Sequence, residues 1–183
     1  MAAESVALPR WVIDPSHSIA EFSVRHMMIS TVKGRFGKME GEIYVAVPDF
    51  SNARAEIRIN AASIDTKDEN RDAHLRSPDF FDLEHHPQII FKSTQITPKG
   101  EDRYTIVGDL SIRGVTRSVT LEGTFDGKIR DPYGNERFGF SVEGEINRHD
   151  FGVSWNTALE AGGVMVGDKV KLTVHIEGVQ QNS

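Results

Sequence analysis

The chain has 183 residues, with 21 basic and 27 acidic side chains, a formal net charge of −6 and no cysteine. The acidic balance, without any run of basic residues, argues against a nucleic-acid partner, and the lack of cysteine excludes disulfides, thiol catalysis and cysteine-bound metals. The length favours one domain that buries a substantial core.

The first ten residues show no strand or helix pattern, so we expect a flexible segment at 1–10, one domain over 11–179 and a short tail at 180–183. Glu4 stands where a secretory signal carries positive charge, and no apolar run is long enough for export or for spanning a membrane. We therefore expect a cytoplasmic protein without an integral membrane segment.

Alternation of apolar and polar residues, the period of a half-buried β-strand, recurs along most of the chain. It is clearest in 54–61, where charged residues interleave with Ala55, Ile57 and Ile59. Eight principal strands are predicted, at 20–24, 42–47, 54–61, 89–96, 104–112, 118–125, 138–146 and 169–179. The connections between them are predicted to be short except across 60–88.

Residues 60–88 interrupt the alternation with charged residues and bulky aromatics. Thr66 and Glu69 have the spacing of a capping box, and Ser77-Pro78 supplies an N-cap and a first-turn proline, so two short helical turns are predicted. Such a segment fits a cover over one end of a cavity with its aromatics facing inward. A crossover that simply completes a core fits the same pattern.

Short connections between successive strands imply antiparallel pairing, and one apolar face per strand fits either a sandwich or a closed barrel. We favour an all-β, eight-stranded antiparallel barrel with a short helical insertion covering one end, because closure removes exposed strand edges. Strand number alone does not decide whether such a barrel is filled by its own side chains or holds one small ligand.

Three glycines, Gly108, Gly123 and Gly144, occupy the inward register between large apolar residues. We interpret them as gaps that leave room for a ligand inside the barrel. The alternative is that they mark bulges or sharp coiling of the sheet, which is an ordinary use of glycine in strands.

Five segments carry a recognisable pattern: 11–26, 71–75 together with 79–82, 87–91, 108–116 and 166–170. In this order and spacing they resemble the YceI-like family, lipocalin-like proteins associated with binding polyisoprenoid lipids, over roughly 11–178. The resemblance implies a lipocalin-like barrel with a helical cover and a long apolar tunnel for an isoprenoid chain, such as that of a quinone or a polyprenyl phosphate. Among family members the chain resembles the cytoplasmic kind.

The inward register of the strands and the aromatics of the cover provide the residues expected to line such a tunnel. From the strands they are Phe22, Val24, Ile57, Ile59, Phe91, Ile106, Gly108, Leu110, Leu121, Gly123, Phe140, Val142, Leu172 and Val174, and from the cover Phe80 and Phe81. A polar head needs hydrogen-bond donors at the mouth, for which the candidates are Arg25, His26, Arg71 and His74. For Arg71 we favour a structural use, an ion pair with Asp72 that pins the helical insertion to the barrel rim.

The function predicted is non-enzymatic carriage or storage of a long-chain isoprenoid lipid, with no catalytic residue, no metal and no cofactor besides the bound lipid. The seven histidines lack the spacing of a zincin site. The competing class is a hydrolase of lipid-like or amide substrates with His149 or His74 as base, although no nucleophile motif accompanies Arg148-His149-Asp150. A protein-interaction module with a filled barrel is a third class, and a sheet edge or barrel face could support a homodimer.

Overall fold

The computed structural model describes residues 7–159 and 163–182. Most of the segment predicted to be flexible, 1–6, lies outside these residues, as does Ser183 at the end of the predicted tail. Arg10 already begins the first strand, and the carbonyl of Pro9 accepts a hydrogen bond of 3.0 Å from the amide of Val45.

The described chain forms a single antiparallel sheet. Its strands are β1 (Arg10–Ile13), β2 (Ile19–His26), β3 (Ser30–Phe36), β4 (Met39–Ala46), β5 (Asp49–Asn60), β6 (Ile64–Asp65), β7 (Gln88–Gly100), β8 (Arg103–Ile112), β9 (Val115–Arg130), β10 (Glu136–Asn147) and β11 (Val166–Gln180). The helix α1 (Glu69–Arg76) and two 3-10 helices, Ala61–Ser63 and Arg148–Phe151, complete the fold.

The sheet closes into a ring of eight strand positions. β7 to β11 each occupy one position, whereas β1 with β2, β3 with β4, and β5 with β6 are broken strands that lie end to end. Along β11, Gly178 pairs with Ile13 of β1 and His175 pairs with Ile19 of β2, and this pairing closes the ring. The predicted eight-stranded antiparallel barrel is therefore confirmed.

The sequence pattern missed three strands of this ring, the short β1 and β6 and the longer β3, and it misjudged the length of one connection. β3 was not predicted because Lys33 and Arg35 point outward and one of its inward positions is Gly34, which carries no apolar side chain to mark the alternation. The connection between β10 and β11 was predicted to be short, yet it runs from 148 to 165 and covers the same end of the barrel as α1. This end is called the mouth below.

The helical insertion contains both predicted turns, but the first is capped by a different residue. The N-cap of α1 is Asp68, whose side chain accepts a hydrogen bond from the amide of Arg71, so the capping box with Thr66 is wrong. After α1 the predicted second turn is present: the Ser77 hydroxyl accepts from the amide of Asp79 at 3.3 Å and the Ser77 carbonyl from the amide of Phe80 at 3.0 Å. It does not extend into a helix, and Asp82 beyond it adopts a left-handed conformation with φ of 50°. None of the helices in the described ranges has the length and apolar character needed to cross a bilayer.

The end of the barrel opposite the mouth is closed by aromatic packing. Trp11 and Phe138 are each 1% exposed and meet edge to face at 4.9 Å between ring centroids, while Phe50 packs on Phe138 at 5.4 Å. The indole Nε1 of Trp11 donates a hydrogen bond of 3.1 Å to the carbonyl of Val45. Because these rings fill the base, any channel through the barrel is blind at this end.

The inward glycines do not leave the open space predicted for them. A Cβ atom on Gly108 would overlap the ring of Phe91, and one on Gly123 would lie 2.6 Å from Cε1 of Phe140. Gly144 is covered in the same way by Leu121. The prediction that Gly108 and Gly123 provide room for a ligand is wrong, because neighbouring side chains already occupy the space over them.

Replacing Gly123 by alanine should lower the free energy of unfolding by about 1–3 kcal/mol, since the new methyl group would displace the rings or branches packed over it. Urea denaturation measures the change. Gly37→Ala is the matched control, because a Cβ there meets nothing within 4 Å. Equal stability losses in the two variants would contradict close packing over Gly123.

Candidate functional site

A largely apolar cavity of about 330 Å³ occupies the barrel interior and reaches the mouth. Its walls are the inward faces of the strands, and its cover is built by α1, the turns after it and the connection between β10 and β11. Since the aromatic base is closed, ligand would enter and leave at the mouth.

Most of the residues predicted to line a tunnel do line this cavity. They are Phe22, Val24, Ile57, Ile59, Phe80, Phe81, Phe91, Ile106, Leu110, Leu121, Phe140, Val142, Leu172 and Val174. They come together because one face of every strand points inward and the turns after α1 bring Phe80 and Phe81 over the mouth. That these side chains contact a ligand remains a prediction.

Sequence reasoning missed the contribution of the connection between β10 and β11. Phe151, Val153 and Trp155 line the cavity, and the Trp155 ring packs on Phe80 at 5.4 Å between centroids. The apolar residues of this segment follow neither the helical nor the strand spacing, so the sequence did not indicate that they face inward. Phe36 and Phe50 were also missed, because each lies at the end of a strand beside a turn.

Basic side chains gather at the mouth. The predicted head-group candidates Arg25, His26, Arg71 and His74 all line the cavity, the first two from the end of β2 and the others from α1. Arg148, which directly follows β10, adds a further guanidinium that was not predicted. A concentration of cationic donors at one end of an apolar cavity suits an anionic or strongly accepting head group.

Arg71 and Asp72 stabilise the cover, but not through the predicted pairing with each other. Both bind Thr66: the Arg71 guanidinium donates to its hydroxyl at 2.8 Å and its carbonyl at 2.7 Å, and the buried Asp72 carboxylate accepts from its amide at 3.0 Å. Among the described residues the Nη1 of Arg71 has no hydrogen-bond partner, so it retains donors beside the cavity.

His74 is held between aromatic rings. Its Nε2 lies 2.8 Å from a carboxylate oxygen of Asp79, and its ring meets Phe80 and Trp155 edge to face at 5.0 and 4.7 Å. His149, the other histidine proposed as a base, pairs with Asp168 at 2.7 Å rather than with the adjacent Asp150 and does not line the cavity. Within the described ranges no hydroxyl nucleophile hydrogen-bonds either imidazole.

Arg148 is a buried cation that organises the cover. It is 5% exposed and donates to four main-chain carbonyls, those of Val153, Trp155, Val166 and Gly167, at 2.8 to 3.3 Å. Burial lowers the pKa of the Arg148 guanidinium from its ordinary value. These bonds tie both ends of the connection between β10 and β11 to one side chain.

Within residues 7–159 and 163–182, one cluster of possible metal ligands is present, and it lies at the closed end. Asp14, His17 and Glu177 offer ligand atoms within 4.8 Å of one another. The Arg137 guanidinium donates to Asp14 at 2.8 Å and to Glu177 at 3.0 Å, so a cation already neutralises both carboxylates. The same guanidinium donates to Asp131 at 2.7 Å, and the group is best described as an ion-pair network that joins β10, β11 and the turn before β2.

This network should make stability depend on acid pH. The hydrogen bond from Arg137 lowers the pKa of Asp131 from 3.8 to about 2. Because the folded-state pKa is depressed, the stabilisation is complete above about pH 4 and is lost as the pH falls towards 2. Asp131→Asn should flatten this part of the curve of unfolding free energy against pH. Asp109→Asn, on an exposed carboxylate outside the ion pairs of the described residues, should leave it unchanged.

Comparison with known proteins agrees with this architecture. The model of the YceI-like domain matches residues 11–178. The UPF0312 protein SA2479 of Staphylococcus aureus (strain N315) is 37% identical over 171 residues, which cover 93% of this chain and 97% of that protein. A YceI protein of Campylobacter jejuni is 26% identical, with a TM-score of 0.74 and coverage of 86% of this chain and 90% of that one.

A polyisoprenoid binding domain from Saccharophagus degradans has a TM-score of 0.72 at 14% identity, with coverage of 95% of this chain and 99% of that one, and so shares the fold. The match of the family model over nearly the whole barrel and the identity to the staphylococcal protein confirm the resemblance read from the sequence. The chain belongs to the YceI-like family.

Proposed function

We propose that this protein binds an isoprenoid lipid in the barrel cavity and carries or stores it without changing it chemically. The observation that carries the proposal is a blind, apolar cavity whose basic side chains gather at the one open end. The tail lies among the inward aromatic and aliphatic residues, and the head group remains at the mouth. The fold shared with a polyisoprenoid binding domain supports an isoprenoid tail.

Burial of the tail supplies enough free energy for tight binding. About twenty hydrocarbon carbons at roughly 0.8 kcal/mol each give an upper bound near 16 kcal/mol, from which the cost of ordering lipid and side chains is subtracted. Charge-assisted hydrogen bonds at the mouth then discriminate between lipids with different head groups. The donors of Arg25, Arg71 and His74 favour a polyprenyl phosphate over an isoprenoid quinone of equal chain length.

Native mass spectrometry of gently purified protein, followed by organic extraction, tests the proposal. We expect a stoichiometric adduct whose extracted mass contains repeating isoprene units. Recovery of protein without lipid, together with failure to bind either added polyprenyl phosphate or added quinone, would contradict it. Phosphate binding should weaken with added salt while quinone binding should not, because only the phosphate uses the cationic mouth.

A further inference from the structure

Exposed apolar side chains concentrate beside the mouth. Among the described residues, six large apolar side chains are exposed, and four of them belong to two adjacent segments at this end: Met27, Met28, Ile29 and Val164. We call these four residues the rim tip. Ile29 is 81% exposed and Met28 is 58% exposed, although isoleucine and methionine are among the residue types most often buried.

Part of the rim tip has a backbone conformation that is unfavourable for the residues that occupy it. The turn between β2 and β3 places Met27 and Met28 at φ of 50° and 61°, and the amide of Ile29 donates to the carbonyl of His26 at 3.3 Å. Hairpin turns with two positive φ values favour asparagine and glycine, so two methionines are unfavourable there both sterically and through their exposure. Features that break a local preference in this way are expected at functional sites.

The rim tip is continuous with the cavity entrance. Arg25 and His26, which directly precede it, line the cavity, and so does Met165, whose carbonyl accepts a hydrogen bond of 2.7 Å from the amide of Met27. Met28 reaches the second segment, since its sulfur occupies the space beside Gly163. A surface that engaged the rim tip would therefore face the mouth.

A cation accompanies the apolar side chains. The Arg25 guanidinium donates to the carbonyl of Met28 at 3.0 Å and to the hydroxyl of Thr31 at 3.4 Å, and no carboxylate in the described ranges lies within 4 Å of it. Apolar groups that penetrate the acyl boundary, together with a basic group at headgroup depth, are the features of interfacial membrane binding.

We propose that the rim tip inserts into the interface of a lipid bilayer, so that the mouth faces the membrane while lipid enters or leaves the cavity. This inference rests on the proposed function, because a long-tailed lipid has to pass between cavity and bilayer without crossing water. The occupant assigned to this surface is the bilayer itself, with anionic headgroups meeting Arg25.

Flotation of the purified protein with phosphatidylcholine vesicles, with and without 30% phosphatidylglycerol (about one anionic lipid in three), tests the proposal. The wild type should float with vesicles, and more strongly with the anionic ones. Met28→Asp/Ile29→Asp should reduce the bound fraction at least about tenfold, because two apolar side chains no longer enter the bilayer. Aspartate tolerates the positive φ at position 28, so the variant should fold.

The matched control is Ile129→Asp/Tyr133→Asp, which removes the other two exposed apolar side chains, on β9 and on the turn after it at the closed end. It should float like the wild type. Equal flotation of the two double variants overturns the proposal, and so does a wild type that floats with neither vesicle but forms a dimer that the rim-tip variant abolishes. Lipid occupancy, measured separately by extraction, reports whether the proposed function itself has failed.

Discussion

Replacing Arg148 by methionine should lower the free energy of unfolding by about 3–5 kcal/mol, the largest loss of stability we expect from a single side chain at the mouth. Methionine fills much of the volume but donates no hydrogen bond. The carbonyls of Val153, Trp155, Val166 and Gly167 would then lose the donor that satisfies them. Urea denaturation, with the midpoint and slope fitted together, measures the loss.

A second measurement separates this effect from general destabilisation. The protein has two tryptophans, Trp11 in the buried base and Trp155 in the cover. In folded Arg148→Met only the Trp155 emission should shift to the red, because the cover loosens while the base remains packed. Arg148→Lys should recover only part of the stability, since an ammonium group cannot reproduce the planar set of donors.

The neighbouring exposed residue provides the control for the Arg148 variants. His149→Ala should change stability by less than about 0.5 kcal/mol, because His149 pairs with Asp168 at the surface. A loss below about 1 kcal/mol in Arg148→Met would show that the carbonyls find other donors and that Arg148 does not organise the cover.

The barrel was predictable because one physical rule governs most of the chain. Each long strand has a solvent-exposed face and a face turned to the barrel interior. Alternation in segments such as 54–61 therefore indicates both that the segment is a strand and which of its residues point inward. The rule failed at β3, where Gly34 interrupts the apolar face, and at the connection between β10 and β11, which has no regular period. The barrel closes through broken strands that pair with segments distant in the sequence. Alternation within one segment does not indicate which other segment it pairs with.

The candidate site was predictable to the same extent. Residues on the inward register line the cavity, whereas Gly108 and Gly123 do not, because the position of a neighbouring ring cannot be read from alternation. The role of Arg148 in the cover was not predicted for a related reason. An arginine in a polar turn is usually solvated, and only the folded cover brings four carbonyls around its guanidinium.

Replacing Ala55 by phenylalanine should nearly abolish lipid binding while leaving the fold stable. Ala55 lies on the inward face of β5 and lines the cavity, so the added ring occupies volume that the tail would need. Lipid recovered per protein should fall by at least about tenfold, because displacing several methylene groups of the tail costs roughly 0.8 kcal/mol for each. Extraction and native mass spectrometry measure the occupancy.

The stability of the same variant tests whether the interior is open. In a filled core the additional ring would be strained and would cost about 1–3 kcal/mol, whereas in an open cavity it buries apolar surface and leaves the free energy of unfolding unchanged or higher. Ala46→Phe, on the exposed end of β4, controls for the mutation itself and should retain lipid. An Ala55→Phe protein that kept its full complement of lipid would place the tail elsewhere than in the barrel. One that lost several kcal/mol without ever holding lipid would mean that side chains alone fill the interior.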